Sequence, residues 1–413
     1  MLELAKSAMR LPFEGTKHAT ALLTGSTSII SHLSLSTLVE QMGPVLVNTA
    51  KGLSTPAGVI NLLNDTAQRI GGALPFAWDP TTPLVSLVEL RNKVEVFLLV
   101  LAVNDILDIP KTGPIDLKSL VDKAYGLDDY QALWAVEGLG HEYGDSFFRQ
   151  GIIPQGILFE ENTPYLPAKS LLMLHAGIGL SFAKTTFAKT THKTPREEIR
   201  AQVRTIIHLC ETNSRPGYLG PAYESLGLVT RTFNPDLLEI VDGILVQDAP
   251  HVRSFFWHGV GRALYFALDN WLPCSDPQIF QQISTEANDD ESVHNGYAGA
   301  SWAFLMVNQK NPDVLWDLLI KPFAARLNWN PGFANGIASS AIMRQNSTPG
   351  ADFTASFADY QPVGCASALE QWNKLVATPY HRALQDFYPV LVAKNCLGKV
   401  FEFNDLNALV AGL

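Results

Sequence analysis

Apolar positions along this chain recur with the spacing of helices, not the alternation of strands, and they gather around short glycine-rich phrases. Six phrases share one pattern: Val136-Glu-Gly-Leu-Gly140, His175-Ala-Gly-Ile-Gly179, Tyr223-Glu-Ser-Leu-Gly227, Trp257-His-Gly-Val-Gly261, His294-Asn-Gly-Tyr-Ala298 and Ala334-Asn-Gly-Ile-Ala338. Taking the first small residue of each as position zero gives Gly138, Gly177, Ser225, Gly259, Gly296 and Gly336, at spacings of 39, 48, 34, 37 and 40. That is the length of a helical hairpin in repeat proteins.

A glycine inside a helix costs about 1 kcal/mol relative to alanine, so six such phrases need a packing cause. At about 100° per residue, positions zero and +4 fall on one flank of the helix and position +2 on the other. Position +2 is small in every copy: Gly140, Gly179, Gly227, Gly261, Ala298 and Ala338. Position +4 is small in Ser181, Ala263, Ala300 and Ser340, while Glu142 and Val229 depart. Small residues on both flanks predict close neighbours on both sides.

The other two faces differ in kind. Position +1 is apolar throughout (Leu139, Ile178, Leu226, Val260, Tyr297, Ile337) and is expected to look toward an outer layer. Position −1, on the opposite face, reads Glu137, Ala176, Glu224, His258, Asn295 and Asn335, and position +3 adds His141, Leu180, Leu228, Arg262, Gly299 and Ser339. An apolar back with a partly polar front defines an inner helix.

Between the phrases lie helix-start signals. Asn234-Pro-Asp236 and Asn311-Pro-Asp313 each offer an asparagine cap, a proline at the first helical position and an early acid. Thr194-Pro-Arg-Glu197 fits a capping box. The chain is therefore expected to be all-α, built of helical hairpins. Six inner helices favour a closed α/α toroid around a cavity, with an open α-solenoid as the alternative. Residues 1–110 are expected to form an N-terminal helical cap, 111–345 the hairpin array, and 346–413 a C-terminal extension with a helix from Ala366 to Leu375.

Composition narrows the partners. The chain has 413 residues, 47% hydrophobic and 17% charged, with a net charge of −10 and no basic stripe. This supplies a large core and argues against nucleic acid as a partner. Cys210, Cys274, Cys365 and Cys396 lie far apart and form no CxxC pair, which suits a reducing cytoplasm better than a disulfide framework. The longest apolar stretch, Val94 to Val103, contains Glu95 and is too short for the roughly 20 residues of a membrane span. It reads as a buried core helix. The first 15 residues mix acids with bases and carry no small-residue cleavage site, so no signal peptide is expected.

Some of the inner phrases resemble a known family. Phe256-Trp-His-Gly-Val-Gly-Arg-Ala-Leu-Tyr-Phe266 resembles the QGLGRSLWF phrase of domain-of-unknown-function family 1702, whose members occur in enediyne polyketide gene clusters. Leu174-His-Ala-Gly-Ile-Gly179 is similar to its VHVGAGWA, Val136-Glu-Gly138 to its YEGAA, and Asn335-Gly-Ile-Ala-Ser-Ser-Ala341 to its QGAAFAAKA. The likeness runs in order over roughly residues 130–345 and departs at His258 and Asn295, where the family carries Gln or Ser. It implies secondary metabolism and a lipophilic, polyketide-like intermediate, but no particular reaction.

The polar front face carries the candidate chemistry. Glu137, Glu224 and His258 are candidate acid and base groups, because desolvation in an apolar cavity moves carboxylate pKa values toward neutrality. His141, Tyr223, Trp257, Arg262, Asn295 and Asn335 are candidate substrate contacts, Arg262 for a carboxylate or phosphate. These residues point to a non-redox cyclisation, isomerisation or elimination without a cofactor. Two alternatives remain. One is a protein that carries a hydrophobic intermediate or docks onto a synthase; the other is a metal- or haem-dependent enzyme using Glu137, His141, His175, Glu224, His258 and His294. No HExxH spacing supports a metal. Asn288-Asp-Asp-Glu-Ser292 compares with diphosphate-binding Asp-rich motifs but reads better as helix-start acids. Arg215-Pro-Gly-Tyr-Leu-Gly-Pro221 reads as a turn or as a cavity lip bearing Tyr218 or Tyr223.

Overall fold

The structure, a computed structural model, describes residues 103–110, 113–266, 331–349, 359–364, 366–402 and 406–413, with a few single positions beyond these ranges. Most of the expected N-terminal cap, Cys274 and Cys365, the 288–292 acidic motif, the fifth phrase with Asn295, and most of the Asn311-Pro-Asp313 start lie outside the described residues. Every regular element among those described is helical, with no strand.

Nine helices carry the argument: α1 (Val103–Leu107), α2 (Leu117–Ala124), α3 (Asp129–Arg149), α4 (Ala168–Thr186), α5 (Arg196–Asn213), α6 (Leu219–Phe233), α7 (Leu238–Asp248), α8 (Arg253–Phe266) and α9 (Pro331–Ser347). The glycine phrases sit in α3, α4, α6, α8 and α9. Helices α3, α4, α6 and α8 form one row, each packed on the next, while α5 and α7 pack behind it. Starts follow local chemistry. Asp116 and Asp128 cap α2 and α3, accepting from the Ser119 and Gln131 amides at 3.2 and 2.8 Å.

Two expected starts differ. Thr194 does not cap α5; its hydroxyl accepts from the Thr191 amide at 3.0 Å and closes the preceding turn, leaving Pro195 at the cap without a side-chain bond. Asn234 opens a single 3-10 turn, Pro235–Leu237, before α7, and its side chain makes no cap bond either. In both places the proline, by fixing φ, supplies the start.

The small residues have the cause the pattern demanded. A β-carbon on Gly177 would fall inside the radius of the Glu137 carbonyl oxygen, and one on Gly259 inside that of Glu224. In the third copy Ser225 stands in for glycine and its hydroxyl donates to the Ala176 carbonyl at 2.9 Å. In these three copies position zero thus rests on position −1 of the preceding helix. The same contact exists one step upstream: Gly138 rests on the Leu99 carbonyl, in helical residues leading into α1. Val100 therefore occupies position zero of a further inner copy, 38 residues before Gly138. It stands outside the six phrases because Val100 is not small. The inner row thus includes helical residues before residue 110, Leu99 and Val100 of the apolar stretch expected to be a buried helix.

The row is curved. Neighbouring helix axes stand about 8–10 Å apart, so α3 and α8 in a straight row would be roughly 24–30 Å from each other. Yet Arg262 on α8 bonds directly to Glu137 on α3. The polar front faces turn toward one another.

The C-terminal segment lies against that front. Helix Ala366–Trp372 continues through Asn373–Ala377, Thr378–Arg382, Ala383–Phe387 and Tyr388–Ala393. Two of these stretches, Asn373–Ala377 and Ala383–Phe387, are widened to π geometry, each two residues before a proline, Pro379 or Pro389. A proline has no N–H to return to the preceding turn, and the widened register absorbs the orphaned carbonyl. The 3-10 turn Leu397–Phe401 then docks on α6: the Gly398 amide donates to the Gly217 carbonyl at 2.7 Å.

Candidate active site

Four buried side chains meet where the front faces converge. Glu137 and Glu224 occupy equivalent positions on α3 and α6, and each is held at the main chain by the glycine of the following helix. His258 and Arg262 stand one turn apart on α8 and so project from the same face. Arg262 donates to Glu137 Oε2 and to Glu224 Oε1, both at 2.5 Å. His258 Nδ1 donates to Glu224 Oε2 at 2.7 Å. Glu137, Glu224 and His258 are fully buried and Arg262 nearly so. The indole of Trp134 lies under the guanidinium, 5.7 Å away, and the ring of Phe401 packs 4.6 Å from that of His258.

Burial sets the protonation states. Desolvation pushes the Glu137 carboxyl above its ordinary range, and Arg262 offsets this only in part. Glu224 feels the same desolvation, but Arg262 and His258 together outweigh it and hold its pKa below the ordinary value. Burial lowers His258 despite Glu224, and Arg262, though desolvated, is held charged by the two carboxylates. These directions favour the neutral form at Glu137 and His258 and the charged form at Glu224 and Arg262. With those forms the cluster carries no net charge, and an uncompensated buried ion would cost several kcal/mol. Glu137 Oε2 already accepts from Arg262, and Oε1 has no hydrogen-bond partner among the described residues. In the neutral form the proton sits on Oε1, since Oε2 accepts from Arg262.

The remaining candidates are placed elsewhere. His141 extends the front of α3 by one turn, with Nε2 3.4 Å from both Asp145 and Lys184, and burial lowers its pKa to about 4. Tyr223 points to the outer layer, where its hydroxyl donates to Glu211 on α5 at 3.0 Å. Trp257 does the same, its indole N–H donating to Asp242 on α7 at 2.8 Å, beside the Arg253–Asp242 pair. Their position −2 lies off the front face. Asn335 is half-buried near the start of α9.

His175 is not available as a metal ligand: Nδ1 donates to the Leu171 carbonyl at 2.7 Å, and Nε2 accepts from the Arg215 amide at 2.9 Å. Burial lowers its pKa to about 3. Among the described residues no three His, Cys, Asp or Glu side chains group as a metal ion would need. At the cluster the guanidinium already holds the cation's place between the carboxylates.

The 215–221 linker is a fastening point, not an open lip. Arg215 is buried and its side chain donates to Leu158 O at 2.9 Å and to Thr163, tying the 151–167 strap to the array. Tyr218 stacks on His175, and Gly217, at φ +86, packs on the Asn395 backbone. Sequence reasoning missed Asp145, Lys184 and Phe401. Asp145 continues the four-residue spacing from Glu137 through His141, a signal beyond the phrase itself. Phe401 reaches the site from a distant segment with no local signal.

Comparison with protein-family models, with curated proteins and with solved structures finds no match in any of the three. Among the described residues no helix is long and apolar enough to cross a membrane.

Proposed function

We propose that this protein is a cytoplasmic, non-redox enzyme of natural-product biosynthesis. It encloses a lipophilic polyketide- or terpenoid-like intermediate and promotes its cyclisation, isomerisation or elimination by proton transfer. One observation carries the reading: a fully buried carboxyl, Glu137, whose Oε1 has no hydrogen-bond partner among the described residues and whose Oε2 is fixed by Arg262. A carboxylic acid kept neutral in an apolar interior is a general acid. His258, held by Glu224 through Nδ1, is the partner base in this reading. Arg262 keeps Glu224 ionised and orients Glu137. In this reading the curved row closes as an α/α toroid with the four residues toward its axis. The resemblance of the inner phrases supplies the polyketide setting.

The test starts from the protein as purified from its host. Compounds extracted from it are identified by mass spectrometry and incubated with fresh protein. Conversion that is lost in Glu137→Gln, Glu224→Gln and His258→Ala supports the reading, and conversion intact in all three contradicts it. A second reading, carriage of a hydrophobic molecule or docking onto a synthase, is favoured by Phe401 packing directly on His258, which closes the cluster as a core would. It predicts a co-purified compound that is never altered.

A further inference from the structure

A row of ionisable side chains runs down one face of α3 at every fourth position: Glu137, His141, Asp145 and Arg149. Residues four apart stack on a helix surface with about 5–6 Å between β-carbons. Side-chain exposure rises steadily along the row, from 0% at Glu137 to 5% at His141, 22% at Asp145 and 44% at Arg149. The opposite face of α3 carries core residues such as Ala135, Leu139 and Val136, all fully buried. The row is therefore a polar seam leading from the closed cluster to solvent.

Its middle is arranged around one ring. His141 Nε2 lies 3.4 Å from Asp145 Oδ2 and 3.4 Å from Lys184 Nζ on α4. The Ser181 hydroxyl donates to the other oxygen of Asp145 at 2.6 Å and fixes that carboxylate. Arg149 turns aside to pair with Glu142, which leaves Asp145 as the outermost member beside His141.

We propose that His141 is the residue through which Glu137 exchanges its proton with solvent. This rests on the reading of Glu137 as a proton donor. After Glu137 Oε1–H gives its proton to the substrate, the carboxylate must be reloaded, and it has no contact with water of its own. The His141 imidazole takes a proton at Nε2 on the Asp145 side and releases one from its other ring nitrogen toward Glu137, returning to the neutral form. Asp145 steadies the transient imidazolium, and Lys184 and Arg149 limit its lifetime. His141 is thus a positioning and relay residue and does not touch the substrate.

The experiment needs no substrate. Infrared spectra of the full chain, differenced against Glu137→Gln, isolate the carboxylic-acid stretch of Glu137, and its shift after transfer to D2O reports proton exchange. With His141→Gln, which keeps size and polarity, exchange is expected to slow by about 10-fold or more. With His141→Ala, added imidazole is expected to restore the rate. Exchange as fast in both variants as in the unaltered chain overturns the relay while leaving the protonated Glu137 in place. The absence of any acid band lost in Glu137→Gln overturns the protonated Glu137, and the relay with it.

Discussion

Arg262 and Glu137 lie 125 residues apart in sequence and on helices separated by two others, yet guanidinium and carboxylate meet at 2.5 Å. The same guanidinium holds Glu224 at the same distance. Curvature of the inner row and charge balance at its centre are therefore one structural fact.

Removing the cation separates these roles from the acid's. Arg262→Met leaves an ionised carboxylate in an apolar core and is expected to destabilise the fold by about 3–5 kcal/mol. Glu137→Gln reproduces the neutral state of the carboxyl and should cost less than about 1 kcal/mol. Urea unfolding of both variants checks the contrast. Equal losses would show that Glu137 is an ionised partner of Arg262.

The glycines divide by what faces them. Gly259→Ala forces a methyl into the Glu224 carbonyl and should cost about 1–3 kcal/mol or more through overpacking. Gly243→Ala, on α7, meets only the tip of the Arg196 side chain at 3.3 Å. There the gain in helix propensity leaves stability unchanged or raised by up to about 1 kcal/mol. Thermal melting of the pair distinguishes a packing glycine from an incidental one.

How much of this was legible in the sequence follows from the range of each interaction. The inner helices and their small flanks could be read because glycine inside a helix is costly and recurs only for a reason. Glu137, Glu224 and His258 could be read as front-face residues because they share position −1. Their convergence through Arg262 could not, since curvature depends on summed packing angles that no local pattern encodes. The outward turn of Tyr223 and Trp257 could not be read for a similar reason. Position −2 lies between two faces, and Glu211 and Asp242, on separate outer helices, decide which way those side chains turn. Val100 escaped because a valine at position zero does not match the small-residue pattern.

Acid should weaken the fold through its buried histidines. The pKa values of His175 and His141 are lowered by burial from 6.5 to about 3 and about 4. The unfolded chain binds their protons first, so their stabilisation is complete above pH 6.5 and is lost as pH falls toward those values. Each contributes a slope of roughly 1.4 kcal/mol per pH unit in that window. His175→Gln should flatten the decline between pH 6 and about 4, as read by urea midpoints across pH. A profile unchanged by the substitution would contradict the neutral, doubly bonded ring.

The strap depends on one asparagine. Asn213 Oδ1 accepts from the Ile157 amide at 3.2 Å, and Nδ2 donates to the Pro154 and Leu209 carbonyls at 3.1 and 2.8 Å. Asn213→Ala should cost about 1–3 kcal/mol and speed amide exchange in 151–167 well before the inner helices respond. Uniform exchange across the chain would show that the strap is not separately held.

The central claim is that Glu137 keeps its proton inside the fold at neutral pH. Carbon-13 NMR of side-chain carboxyls, with Glu137→Gln used to assign the resonance, measures this directly. The account predicts a Glu137 signal at the shift of a neutral acid at pH 7, beside an ionised Glu224. A Glu137 resonance that is ionised at pH 7 and titrates near the ordinary glutamate value would contradict it.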